Sequence, residues 1–158
     1  FCAGCRKRFE ERDKAAVKNW PADVTTGPRR DRYVRFRRDN ITQLVAAVSE
    51  QARKVKPNIQ ISAAVFPSWP GDRDVIGQDW KLWCDKGYLD FVCPMDYTEH
   101  TAVFESIVAS QIAWAGKVPC RPGIGLSCWT PPDDAVGLIE KIQKVKGVSH
   151  AERYVEIT

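Results

Sequence analysis

No stretch of these 158 residues approaches the roughly 18 consecutive apolar residues that a membrane-spanning helix needs. The chain also lacks a Gly-x-Ser-x-Gly elbow, a Walker phosphate loop and a G-x-G-x-x-G turn, so hydrolase-elbow, nucleotide and dinucleotide chemistries have no local signature. Histidine is scarce: neither His100 nor His150 stands beside a nucleophile pattern. Six cysteines are too few for a disulfide scaffold and leave the redox compartment open. Cys2-x-x-Cys5 has metal-ligand spacing, but no second such pair and no paired His completes a four-ligand site. No metal and no cofactor are expected, with Cys2 and Cys5 either paired or free, and Cys84 and Cys93 read as small buried hydrophobes. The first residue is Phe1 with no charged-then-apolar leader behind it, so a cut start is the expectation, and the missing leader says nothing of the intact gene product.

What is present is the composition of one soluble globular domain, 1–158, with 44% hydrophobic and 28% charged residues. The net charge of +4 is unevenly placed. Residues 1–40 hold twelve Lys/Arg against six Asp/Glu, and the remainder holds twelve against fourteen. Arg6-Lys7-Arg8 and the arginines from Arg29 to Arg38 are interleaved with Glu10, Glu11, Asp13, Asp31 and Asp39, so residues 1–30 read as a basic lead-in with a solvated face. A polyanion or nucleic-acid contact is the lesser reading.

From Asp31 to Lys56, Val34, Ile41, Leu44, Val45, Val48, Ala52 and Val55 recur at helical spacing, and Pro57-Asn58 ends the helix. Ile59 to Phe66 reads as a strand buried on both faces. Asp79 is placed to cap a short helix, Trp80 to Lys86, with Trp80 and Trp83 inward, and Tyr88 to Met95 is a second apolar strand. A helix over 102–115, a strand over 120–126, a helix from Asp133/Asp134 to Lys146 and a polar last strand over 148–157 follow. Strand starts near 59, 88 and 120 are one βα unit apart. The expected fold is α/β with mostly parallel strands flanked by helices, in an open sheet or in about half of a (β/α) barrel, since a full one needs about 250 residues. Ile61, Ala63, Val65, Phe91, Val92, Ile124 and Leu126 are the expected sheet core.

The stretches Phe36-Arg37-Arg38-Asp39-Asn40-Ile41, Gly77-Gln78-Asp79-Trp80, Asp90-Phe91-Val92-Cys93-Pro94-Met95-Asp96-Tyr97-Thr98 and Pro122-Gly123-Ile124-Gly125-Leu126, with Cys2-Ala3-Gly4-Cys5 and Arg8-Phe9, carry a family resemblance. Together they resemble the bacterial glycosyl-hydrolase-like, family 10-like, TIM-barrel proteins over residues 1 to about 147. The resemblance implies the C-terminal half of such a barrel, an acid-bearing strand upstream of Cys2, an extracytoplasmic setting and hydrolysis of O-glycosidic bonds in the intact parent.

In parallel α/β architectures, side chains just beyond the strands' carboxyl ends line the ligand crevice. Those ends carry Ser68 and Trp69, then Asp96, Tyr97 and Glu99, then Ser127, Cys128 and Trp129. Indoles and phenols stack on the C–H faces of sugars, and carboxylates accept hydroxyl hydrogen bonds. Asp96 is therefore the candidate catalytic carboxylate, with loop capping as its rival role. Tyr97, Trp69, Trp129, Asp79 and Glu99 are candidate substrate contacts. A carbohydrate ligand is the expected partner, with no membrane contact and with self-association through open sheet edges. The rival function is a non-catalytic carbohydrate-binding or structural fragment.

Overall fold

The computed structural model describes residues 1–98, 100–126, 137, 140 and 155–157. Helix α1 (Ala3–Asp13) begins as Cys2 leaves extended backbone and caps the first turn with its sulfur, and it ends at Lys14 in the left-handed region. A short turn, α2 (Ala22–Thr25), leads to the 26-residue α3 (Arg30–Val55). Phe9, Val17, Val24, Tyr33 and Phe36 bury one another there, with Trp20 packed alongside. Phe9 meets Tyr33 edge-on, with ring centres 5.2 Å apart, an arrangement that aligns the ring quadrupoles favourably. The basic lead-in is thus folded onto the first turns of α3 by an aromatic cluster.

Strand β1 (Ser62–Val65) pairs in parallel with β2 (Phe91–Pro94), Ser62 opposite Phe91 and Val65 opposite Pro94. Between them lie α4 (Trp69–Val75) and α5 (Trp80–Asp85). The sequence reading has no counterpart for α4, whose early Pro70 supplies the φ of a helical first turn. After β2 comes α6 (Thr101–Ala115), then β3 (Ile124–Leu126), which pairs in parallel with β4 (Val155–Ile157). Parallel bridges Val92 to Cys120 and Met95 to Gly123 join the two pairs. Every strand pairing among the described residues is therefore parallel, as the thirty-residue spacing implies, and these residues form no closed barrel. The helix expected from Asp133/Asp134 to Lys146 lies outside the described residues apart from positions 137 and 140.

Val65 and Val92 face the helices and bury against Trp80, Trp83, Cys84, Leu89, Ala115 and Cys120. The indole of Trp80 donates to the Phe66 carbonyl at 3.2 Å and that of Trp83 to Thr42 Oγ1 at 3.0 Å, so both large rings enter the core without an orphaned N–H. Burying each such side chain contributes about 1.5–3 kcal/mol.

Two sequence expectations are corrected here. β1 is covered on one face only: Val65 is buried, whereas Ser62 and Ala64 are exposed, because the described helices pack on a single side of the sheet. Ile61 and Ala63, in the phase of Val65, pack against the core but are only half-buried, as is Phe91, and the side chains of Ile124 and Leu126 lie outside the description. On α3, Ile41 and Val45 pack inward, but Leu44, Val48 and Val55 are 63%, 53% and 87% exposed. Its apolar arc is wider than the neighbours that cover it.

Two contacts position the sheet against α3. Asp90, at the start of β2, accepts from the Ile61 N–H at 2.7 Å and from Arg53 Nη2 at 3.1 and 3.2 Å. Gly77 turns the chain between α4 and α5 at φ +85°, and a Cβ there would meet Ile41 Cδ1 at 2.7 Å.

Candidate functional site

β2 leaves the sheet through Met95 to Asp96, whose N–H donates to the Gly123 carbonyl at 2.8 Å. Side chains alternate along a strand, so Asp96 keeps the phase of Val92 and Pro94 and enters the helix layer. There Oδ1 accepts from Gln111 Nε2 at 2.6 Å, and that amide also donates to the Pro67 carbonyl at 3.3 Å. Gln111 thereby joins the carboxyl ends of β1 and β2 through α6. It is fully buried on the stripe of Phe104, Val108 and Ala115, and Asp96 is 2% exposed. Among the described residues Asp96 Oδ2 and Gln111 Oε1 have no hydrogen-bond partner. Burial pushes the Asp96 carboxyl up to about 6, and the Gln111 amide pulls weakly the other way. The loop-capping role finds no support among the described residues: the turn after Asp96 is closed by backbone, Thr98 N–H to Asp96 O at 2.7 Å.

Asp79 stands at the N-cap position of α5 but makes no side-chain cap bond. Its Oδ1 accepts from the Trp69 indole at 2.7 Å, and its Oδ2 lies 3.7 Å from Arg38 Nε. Arg38 also donates to Asp74 at 2.8 Å, so the Phe36–Ile41 stretch ties α3 to α4, which begins at Trp69. Trp69 is half-buried, tilted against Trp114 at 6.0 Å, with the Arg73 guanidinium 5.1 Å and the Lys81 ammonium 5.9 Å from its ring centre. Tyr97 is exposed. Glu99, Ser127, Cys128 and Trp129 lie outside the described residues.

The structure thus joins Asp96 and Trp69 indirectly, since α6 supplies both Gln111 and Trp114. Gln111 is absent from the sequence reading. Its signal was a lone amide at an inward position between Val108 and Ala115.

Part of the basic excess is paired with acids. Arg6 pairs with Glu10, Arg12 with Asp39, and both Arg29 and Arg32 with Asp13. A cleft of about 220 Å³ lined by Phe9, Arg12, Asp13, Arg32, Arg35 and Phe36 therefore carries acid as well as base, which weighs against a polyanion groove. Among the described residues no three His, Cys, Asp or Glu side chains converge as a metal site, and no helix is long and apolar enough to cross a membrane.

Parallel strands alternating with helices define an α/β architecture, with the Asp96 carboxyl just past the carboxyl end of β2. Residues 7–126 match the family model described as Glycosyl hydrolase-like 10, and the chain belongs to that family. The match is narrower at both ends than the span suggested by the motifs. A search of the curated proteins returns no match.

Proposed function

We propose that the chain is the C-terminal half of a (β/α) barrel, and that in the intact protein the loops after β1, β2 and β3 face a carbohydrate whose O-glycosidic bond is hydrolysed. The observation that carries this reading is the Asp96 carboxyl, held at about 6 by burial at the carboxyl end of a parallel strand, in a member of a glycosyl hydrolase-like family. A carboxyl whose proton affinity is raised toward neutral pH suits a general acid, which protonates the departing glycosidic oxygen as the C–O bond breaks. Oδ2 is the oxygen left to carry that proton. The second carboxylate, nucleophile or base, belongs to the remainder of the intact barrel. Tyr97, Trp69 and Trp129 stack on sugar C–H faces and Glu99 accepts a hydroxyl, while Asp79 acts by holding Trp69.

The near-complete burial of Asp96 against Gln111 favours a second reading, a carbohydrate-binding or structural segment in which this pair only locks β2 to α6. Hydrolysis of a panel of aryl glycosides by the intact protein, measured from pH 4 to 9, separates the two. For the catalytic reading, Asp96→Asn lowers kcat by about 100-fold or more, does not lower Tm, and removes an activity limb falling through about pH 6. Unchanged turnover with a lowered Tm supports the structural reading instead. The 158-residue chain alone is expected to turn over little or nothing, since one carboxylate cannot fill both roles.

A further inference from the structure

Cys2 and Cys5 take no part in either reading, yet they are placed together with care. Cys2 is the N-cap of the eleven-residue α1, and the Cys5 backbone N–H donates to its Sγ at 3.4 Å. The two sulfurs lie 3.3 Å apart, and Arg8 Nη2, one turn along, is 3.6 Å from Cys5 Sγ. The helix is anchored on both sides of the pair: the Trp20 indole holds the Phe1 carbonyl at 3.1 Å, and Phe9 is sunk in the aromatic cluster. Arg6 donates to Glu10 at 2.9 Å and to the Val17 carbonyl at 2.7 Å, which braces the first two turns against fraying. Cys2 is exposed and Cys5 half-buried.

We propose that Cys2 and Cys5 form a redox-active dithiol that exchanges with low-molecular-weight disulfides, Cys2 as the attacking sulfur and Cys5 as the resolving one. A thiolate at a helix N-terminus is stabilised by the first-turn N–H groups and the positive end of the helix dipole. The Cys5 N–H, followed by the Cys5 thiol, holds the Cys2 thiol below its ordinary range. Burial moves the core thiols the opposite way, Cys84 to about 11 and Cys120 to about 12. The chemistry is two displacements. The Cys2 thiolate attacks one sulfur of an external disulfide RSSR, forming Cys2–S–SR and releasing RS⁻. Cys5, whose sulfur lies beside the Arg8 guanidinium, then attacks Cys2 Sγ as a thiolate and expels the second RS⁻. The two protons lost by the protein end on the two RSH, so the dithiol is oxidised by two electrons and RSSR is reduced.

The test uses the 158-residue chain and oxidised glutathione at pH 7, with quenching by iodoacetamide and peptide mass mapping. The wild-type chain is expected to lose two hydrogens in the Cys2–Cys5 peptide and to retain no glutathione. Cys5→Ser is expected to retain one glutathione on Cys2, and Cys2→Ser to react at least about tenfold more slowly. Arg8→Gln is expected to prolong the mixed disulfide in an otherwise wild-type chain, with circular dichroism showing the fold intact. A stable glutathione adduct on the wild-type chain overturns the proposal. So does equal alkylation of Cys2 and Cys84 in the folded chain, or stoichiometric zinc held by both thiolates. None of these readouts depends on carbohydrate chemistry.

Discussion

Gln111 Nε2 stands 2.6 Å from Asp96 Oδ1, and through that one bond the middle of α6 fixes the residue at which β2 leaves the sheet. The same amide reaches the Pro67 carbonyl at the end of β1, so a single buried side chain sets the spacing of two strand ends.

Asp96 makes stability depend on pH. The carboxyl is raised from 3.8 to about 6 on folding, so the folded chain holds the proton more tightly than the unfolded one. The resulting stabilisation is complete below about 3.8 and is lost as pH rises through about 6, an effect of up to about 3 kcal/mol. Urea melts of wild type and Asp96→Asn should diverge across that window, with the slope absent from the variant. Parallel pH profiles would refute the assignment.

Removing the Gln111 donor leaves the buried carboxyl without its one described partner. Gln111→Ala should cost about 1–3 kcal/mol and raise the Asp96 titration further, because the amide is the group that lowers it. Carboxyl-carbon NMR titration reads the shift directly, and a lowered midpoint would contradict it.

Asp90 clamps the opposite end of the sheet. Asp90→Ala should lower the urea midpoint by the equivalent of about 1–3 kcal/mol, since the Ile61 N–H loses its acceptor while Arg53 keeps Ser49 Oγ and the Gly87 carbonyl. An unchanged midpoint would show the clamp to be energetically idle.

Gly77→Ala combines a positive φ with a clash on Ile41 Cδ1 and should destabilise by about 1–3 kcal/mol. Ile41→Val removes the clashing methyl, so the same substitution in that background should cost less. Strict additivity in this double-mutant cycle would count against the contact.

The uncovered stripe of Leu44, Val48 and Val55 on α3 should drive self-association of the isolated chain. Sedimentation velocity should show larger species that dissolve in the triple Lys variant with Tm little changed. A wild-type chain that sediments as a dilute monomer would end that expectation.

Much of the fold was legible because its signals are local. The apolar spacing of α3, the β-branched run before Pro67 and the thirty-residue rhythm each follow from side-chain periodicity within one segment. Trp80 and Trp83 could be assigned to the core from their spacing on one short helix, and Asp96 to a strand's carboxyl end from the apolar run before it. Which face of α3 stays bare could not be read, because Leu44 and Ile41 are equally apolar and only the reach of α4 and α5 distinguishes them. The same holds for Asp79: its sequence position is that of a helix cap, but the competing partners Trp69 and Arg38 arrive from ten and forty-one residues away and take its oxygens. By itself, then, the sequence determined α3, α5, α6 and the strands β1 to β3, the parallel sense of those strands and the acid at the end of β2, but not α4. Only tertiary structure decided that this acid is buried against Gln111 and binds its proton more tightly than a free carboxyl, because desolvation depends on what packs around a group and not on its neighbours in the chain.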